Sequence, residues 1–243
     1  MKLFVSIFLV AAITAGITTQ GITIDALTKA VNEIRADPIK MKTFIEQNYK
    51  KGTDCSFIIP TTNIRNTFSE KCGAIDAAIA RLAVQKPCPA LKVDEGFTKI
   101  SYDHSQYQIN VAKLMTHTGP AGRVGLGDRC KLFNKFAGPI GENIADGVEK
   151  SWDTAMKLLA QWVIDDGVSN RGHYNNIYKC EFTTWGVGIF NHKNQNGWNA
   201  QRVTTFFGNA SSCVVKKLTA DEKAPLGLTG LTPTLAQAAC PGV

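Results

Sequence analysis

What chemistry this chain can offer rests on its four histidines and on a few carboxylates placed near the ends of helical stretches. His117 follows one such stretch. Glu142 lies in Gly141-Glu142-Asn143-Ile144, Asp165 and Asp166 close another helical stretch, and His173 stands in Arg171-Gly172-His173-Tyr174-Asn175-Asn176-Ile177. Two imidazoles and one or two carboxylates have the donor types for Zn²⁺ or a similar divalent cation with open coordination positions, so His117, His173 and Glu142 form a candidate metal set. The same groups can instead hydrogen-bond one another and nearby backbone, and so hold the Gly-rich segment between them. A metal-assisted hydrolase would use a metal to lower the pKa of a bound water and a free carboxylate as base. Against it, no residue stands out as a nucleophile. HExxH, G-x-S-x-G, a Walker loop and a G-x-G-x-x-G after a strand are all absent, which disfavours zincin-type proteases and weakens hydrolase, nucleotide and dinucleotide readings. His104 and His192 read as structural or surface residues.

The elements that must position these groups are legible in outline. Ile24, Leu27, Val31 and Ile34 recur at helical spacing until Ala36-Asp37-Pro38 interrupts them, and a second helix is expected over 39–49. Residues 55–68, rich in Thr, Asn and Pro, read as a loop pinned by cysteines, and 74–84 as an amphipathic helix stopped by Pro87-Cys88-Pro89. A helix is expected over 100–115, broken by Thr118-Gly119-Pro120-Ala121-Gly122, after which a Gly-rich segment runs to Gly147. Ser151 can cap a helix whose apolar face holds Trp152, Ala155, Met156, Leu159, Trp162 and Val163, with Gly167 placed to end it. Trp185, Val187 and Ile189 alternate, as do Val203, Thr205 and Phe207, with turn formers between Asn191 and Gly197. Helices grouped around an antiparallel sheet make the chain α+β, and an α-β-α sandwich with a central antiparallel sheet flanked by helices is the architecture to expect.

The chain of 243 residues is 44% hydrophobic and 19% charged, which argues against a disordered or collagen-like protein. Lys2, the apolar run from Leu3 to Ile13 and the small residues up to Gly16 have the three regions of a signal peptide, and the run is too short to span a bilayer. Three segments follow: residues 1–16 as a removable signal, 17–215 as one domain and 216–243 as an extended tail. A secreted, extracellular product with no membrane span is expected. In an oxidising compartment the seven cysteines form disulfides with one thiol left over, and spacing suggests Cys55 with Cys72 and Cys180 with Cys213. Asn209-Ala210-Ser211 could carry a glycan on Asn209. The net charge of +7 is scattered, with no basic stripe to suggest nucleic acid, but a cell-wall or glycan surface is a candidate partner.

His117-Thr118-Gly119-Pro120-x-Gly122, Gly141-Glu142-Asn143-Ile144, Asp165-Asp166-Gly167-Val168-x-x-Arg171-Gly172-His173 and Gly186-Val187-Gly188, in that order, resemble the CAP superfamily of cysteine-rich secretory, antigen 5 and pathogenesis-related proteins. The likeness is closest to the branch, common in microbes and protists, that carries the Asp-Asp-Gly-Val and Arg-Gly-His string. Val31 to Pro38 resembles the family's opening helix, and the match covers about Ile24 to Gly208. The resemblance implies an α-β-α sandwich with a central cleft holding two His and two acidic residues. His117, Glu142 and His173 fall on three of those positions. Asp165, three residues after Trp162, falls where the family usually has Glu, with Asp166 as the alternative occupant. It also implies a non-enzymatic secreted binder of sterol, fatty acid or other lipid, of an ion, or of a partner protein. A metal-assisted hydrolase and a structural or adhesive wall component are the alternatives.

Overall fold

The first helix, α1 (Ile24–Ala36), begins where Thr23 accepts a hydrogen bond from the Ala26 N–H (3.2 Å) and buries Leu27, Val31 and Ile34 completely. Asp37 then serves two helices. Its N–H closes α1 on the Glu33 carbonyl (3.0 Å), and its carboxylate accepts from the Ile39 N–H (3.1 Å) to open α2 (Pro38–Asn48), with Pro38 at the first helical position. The computed structural model describes residues 21–49, 55–59, 64–131, 138–148, 154–209, 213–214, 218–226 and 238–239. The proposed signal segment lies outside them, as do Ser151, Trp152 and Cys240.

Along the chain follow a short antiparallel pair, β1 (Phe57–Ile59) and β2 (Ile64–Asn66), then α3 (Cys72–Val84), β3 (Lys92–Val93) and α4 (Glu95–Tyr107). A π-turn (Gln108–Ala112) ends α4, and α5 (Leu126–Cys130), β4 (Gly141–Val148), α6 (Ala155–Ile164) and α7 (Gly172–Tyr178) come next. The long hairpin β5 (Thr184–Lys193) and β6 (Asn199–Gly208) precedes β7 (Cys213–Val214), α8 (Ala220–Lys223) with a 3₁₀ turn (Ala224–Leu226), and β8 (Ala238–Ala239), which pairs with β7. The central sheet runs β3-β5-β6-β4. It is antiparallel except for the two-residue β3, which joins β5 in parallel.

Helix α4 covers one face of this sheet, while α1 and α7 meet the other with α6, α2 and α3 packed around them, so the expected α-β-α sandwich is the architecture. Close approach of α4 requires Gly186 and Gly188. A Cβ on Gly186 would stand 2.0 Å from the Phe97 backbone, and one on Gly188 would stand 2.0 Å from the Tyr102 nitrogen. The core between sheet and helices is aromatic, with Phe97 against Phe206 (ring centroids 4.6 Å) and Phe207 between Phe182 and Trp185.

Several local expectations change. The stretch read as a cysteine-pinned loop contains the β1–β2 pair, and the Gly-rich segment contains β4. The helix expected over 100–115 starts earlier, where Asp94 caps the Phe97 N–H (2.8 Å), and stops at the π-turn. Cys55 does bond Cys72, but Cys180 bonds Cys88 rather than Cys213. Beside this bridge Arg35, a fully buried guanidinium, donates to the carbonyls of Pro89 (2.9 Å), Lys179 (3.3 Å) and Phe182 (3.0 Å), and to that of Ile177. It thus bonds both the 88 and the 180 segment, which lie 92 residues apart in sequence. Burial lowers its pKa to about 10. Cys130 is a buried free thiol, and burial pushes its pKa up to about 12. Within the stretch read as an extended tail, Thr219 and Glu222 form a capping box on α8, and Leu226 is buried.

Candidate functional site

Strand β4 is an edge strand, and its free side is closed by side chains. The Ile144 carbonyl accepts from the Trp162 indole (3.2 Å), and the Glu142 carbonyl accepts from the Asn176 amide (3.3 Å). Side chains alternate across a strand, so neighbouring residues of β4 reach opposite layers. Glu142, paired in register with Phe206, faces the α4 side. Asn143 faces α7, where its amide donates to the His173 carbonyl (3.1 Å) and its own oxygen accepts from Asn176 (2.8 Å). Asn176 lies so close that a Cβ on Gly141 would stand 2.3 Å from its side-chain oxygen.

On the α4 side, Glu142 is the acceptor of a small buried network. Its Oε1 meets His117 Nδ1 at 2.8 Å, and Arg129 grips both oxygens, at 2.8 Å and 3.2 Å. Arg129 also donates to the His117 carbonyl (3.0 Å). Behind them lies His104, with a fully buried ring whose Nε2 donates to the Thr116 carbonyl (2.8 Å) and sits 3.9 Å from Glu142 Oε1. Burial lowers the His104 pKa to about 4, opposed by the Glu142 carboxylate, and its Nδ1 has no hydrogen-bond partner among the described residues. The His117 side chain, in contrast, is 63% exposed.

On the other side, Asp165 ends α6 in the left-handed conformation (φ 57°), the place expected of a glycine. Its carboxylate reaches over the first turn of α7, accepting from His173 N–H (2.9 Å), Tyr174 N–H (3.2 Å) and His173 Nδ1 (2.6 Å). One methylene fewer than Glu therefore still allows direct capping of the helix that carries His173. Asp166 turns away. It accepts from Ser69 N–H (2.6 Å), Ser69 Oγ (3.0 Å) and Glu70 N–H (2.9 Å) ahead of α3. Arg171 closes the loop by donating to the Asp165 carbonyl (2.5 Å) and to both oxygens of Glu70, whose carboxyl is held at about 2 by that guanidinium and by the Gly167 N–H.

The four residues singled out in the sequence are thus brought together as two imidazole–carboxylate pairs, His117 with Glu142 and His173 with Asp165, flanking β4. An ionised carboxylate only accepts, so each ring donates through Nδ1, and in the neutral ring Nε2 then carries the lone pair. Among the described residues nothing bonds either Nε2. Zinc or another divalent cation would need more. The Glu142 oxygens are taken by Arg129 and His117 and those of Asp165 by α7, and among the described residues no three His, Cys, Asp or Glu gather into a metal-holding group. These residues do not fit a resident metal with three protein ligands. Asn209 follows β6 directly and is half-buried, while Ala210 and Ser211 lie outside the described residues.

Arg129, His104 and Asn176 were not singled out as functional residues. Asn176 at least sits inside a quoted motif. A buried arginine beside Gly127 and Asp128 leaves no local trace, and His104 looks like any histidine on a helix face.

A model of the cysteine-rich secretory protein family, CAP, matches residues 28–209, three quarters of the sequence, and the chain belongs to that family. No curated protein sequence matches it. Among solved structures it is similar to an extracellular SCP-domain protein of Bacillus anthracis, at 24% identity and a TM-score of 0.38, over 56% of this chain and 38% of that one. An outer surface protein of Borrelia burgdorferi matches at 14% identity and a TM-score of 0.38, over 57% of this chain and 90% of that one. Venom allergen-like protein 4 of Schistosoma mansoni matches at 13% identity and a TM-score of 0.36, over 75% and 88%. The chain thus spans well under half of the Bacillus protein.

Proposed function

We propose that the protein is a secreted, non-enzymatic binder whose cleft at the edge of β4 receives the hydroxyl group of an amphiphilic ligand, with a sterol as the favoured class. The observation that carries this reading is the orientation of the two imidazoles. Each gives its Nδ1 to a carboxylate, and among the described residues neither Nε2 has a protein hydrogen-bond partner and neither ring is hydrogen-bonded to a Ser, Thr or Cys that it could activate. A hydrolytic triad needs that contact, so the arrangement supports recognition rather than nucleophilic catalysis. A neutral ring with its lone pair outward accepts from an alcohol and repels a carboxylate, which separates a sterol from a fatty acid. Family membership and two disulfides agree with an oxidising, extracellular setting.

The apolar sets read from the sequence as groove candidates are mostly core: Ile45, Ile75 and Leu82 are fully buried. A small cavity of about 50 Å³ does open between α4 and the turn at Pro120, lined by Ile100, Asp103, His104, Tyr107, Arg123 and Arg129 and by neither His117 nor His173. It has room for a polar head, not for a whole lipid.

The test is saturable binding of labelled cholesterol, with palmitate and zinc as parallel arms, by wild type and by His117→Ala with His173→Ala. Cholesterol should bind saturably, and the double variant should lose about tenfold or more in affinity. No saturable cholesterol binding, or equal binding by the variant, would overturn the reading. Zinc binding that the variant abolishes, with no sterol binding, would replace it with a two-imidazole cation site.

A further inference from the structure

The segment joining α4 to α5 is unlike the rest of the surface. Seven large apolar side chains stand exposed among the described residues, and four of them belong to this segment: Val111 (67%), Leu114 (56%), Met115 (56%) and Val124 (53%). Its permanent charges, Lys113 and Arg123, are both cationic and both exposed. From His104 to Gly127 there is no Asp or Glu. The carboxylates at either end are already engaged. Asp103 pairs with Lys99 (2.5 Å), while Asp128 accepts from the Gly125 N–H (3.3 Å) and lies 3.6 Å from Lys131.

The backbone of the segment is tied inward. Arg202, itself paired with Asp146, donates to the Leu114 carbonyl (3.5 Å), His104 donates to that of Thr116 (2.8 Å) and Arg129 to that of His117 (3.0 Å). The buried Gln108 side chain accepts from the Thr116 N–H (3.3 Å), and Gly119 with Val124 closes the following turn (2.9 Å). With its carbonyls fixed toward the core, the segment cannot fold its apolar side chains under itself. They are held out on a firm frame.

Exposed apolar side chains interleaved with cations and free of carboxylates match one kind of surface, a bilayer whose anionic headgroups lie over an apolar layer. We propose that this face docks on an anionic lipid membrane, with Val111, Leu114, Met115 and Val124 entering the boundary between headgroups and acyl chains and Lys113 and Arg123 meeting lipid anions. The inference goes beyond the cleft reading and rests on side chains other than His117 and His173, so each can fail without the other. The +7 net charge favours the same partner over a neutral membrane.

The experiment is co-sedimentation of the full chain with vesicles of phosphatidylcholine alone and with phosphatidylserine added. Leu114→Ser with Met115→Ser, and Lys113→Glu with Arg123→Glu, are compared with wild type. All four positions are exposed, and an unchanged melting temperature checks that each variant is folded. Wild type should bind the phosphatidylserine vesicles, more weakly as salt rises, and each double variant should lose about tenfold or more in partitioning. In Met115→Trp, emission should shift to the blue on binding and be quenched by brominated acyl chains. Absence of binding to the anionic vesicles, undiminished binding by the serine variant, or binding without acyl-chain quenching would each overturn the proposal. The last two would leave only a surface for acidic partners.

Discussion

Glu142 shows how one side chain can join structure to site. Its carboxylate is buried, yet Arg129 pairs with it through two nitrogens and the His117 ring donates to it, so its charge is not stranded. His104, beside this network, gives it a dependence on pH. With its pKa lowered to about 4 by burial against an ordinary value of 6.5, the unfolded chain binds a proton that the folded chain refuses between those two values. Stability should therefore be level above pH 6.5, fall as the pH drops toward 4 and lose about 3 kcal/mol across that window. Denaturant melts of wild type and His104→Gln at a series of pH values check this. The variant keeps a donor for the Thr116 carbonyl but cannot be protonated, so its curve should be flatter over that window. Parallel curves would show that other groups set the acid sensitivity.

At the scale of elements, what could be read from the sequence depended on how burial is patterned. Helices α1 and α3 bury one face, so their apolar spacing gave them away; α6, buried nearly all round, showed as an apolar run, and β5 and β6, buried over most of their length, showed through large or β-branched side chains at every second position. Strand β4 could not be seen although it is no more buried than β5 or β6, because Gly141-Glu142-Asn143-Ile144-Ala145 carries neither a period of two nor a run of β-branched residues. The three-residue strands β1 and β2 are too short to leave a period. His117, Glu142, Asp165 and His173 were legible because they lie in compact motifs, whereas Arg129 and His104 join the site through contacts made only by folding. Glycines have the same dependence on context. Gly186→Ala or Gly188→Ala should force α4 off the sheet and cost about 1–3 kcal/mol or more, since each new Cβ meets backbone at 2.0 Å. Gly73→Ala, in α3 with nothing within 4 Å, should stabilise by about 0.5–1 kcal/mol. Thermal melts of the three variants settle the signs. A tolerated Gly186→Ala would mean that α4 and β5 have more room than the fold implies.

Among the described residues the molecule is held by two disulfides of very different reach. Cys55–Cys72 closes 17 residues around the β1–β2 pair, and Cys88–Cys180 closes 92, spanning α4, β4, α6 and α7. If a bridge acts mainly by restricting the unfolded chain, the longer loop stabilises more, about 4–5 kcal/mol against about 3. The native state holds a second clamp at the same place, because Arg35 binds carbonyls of Pro89 and Lys179 beside the two cysteines. Removing the bridge by Cys88→Ala with Cys180→Ala should therefore lower the denaturant midpoint more than Cys55→Ala with Cys72→Ala. Adding Arg35→Ala should cost more in the bridge-free background than in wild type, since either clamp alone can keep the 88 and 180 segments together. Strict additivity in that cycle would show that guanidinium and disulfide act separately, and an equal loss from the two bridge deletions would show that loop length does not govern their contribution.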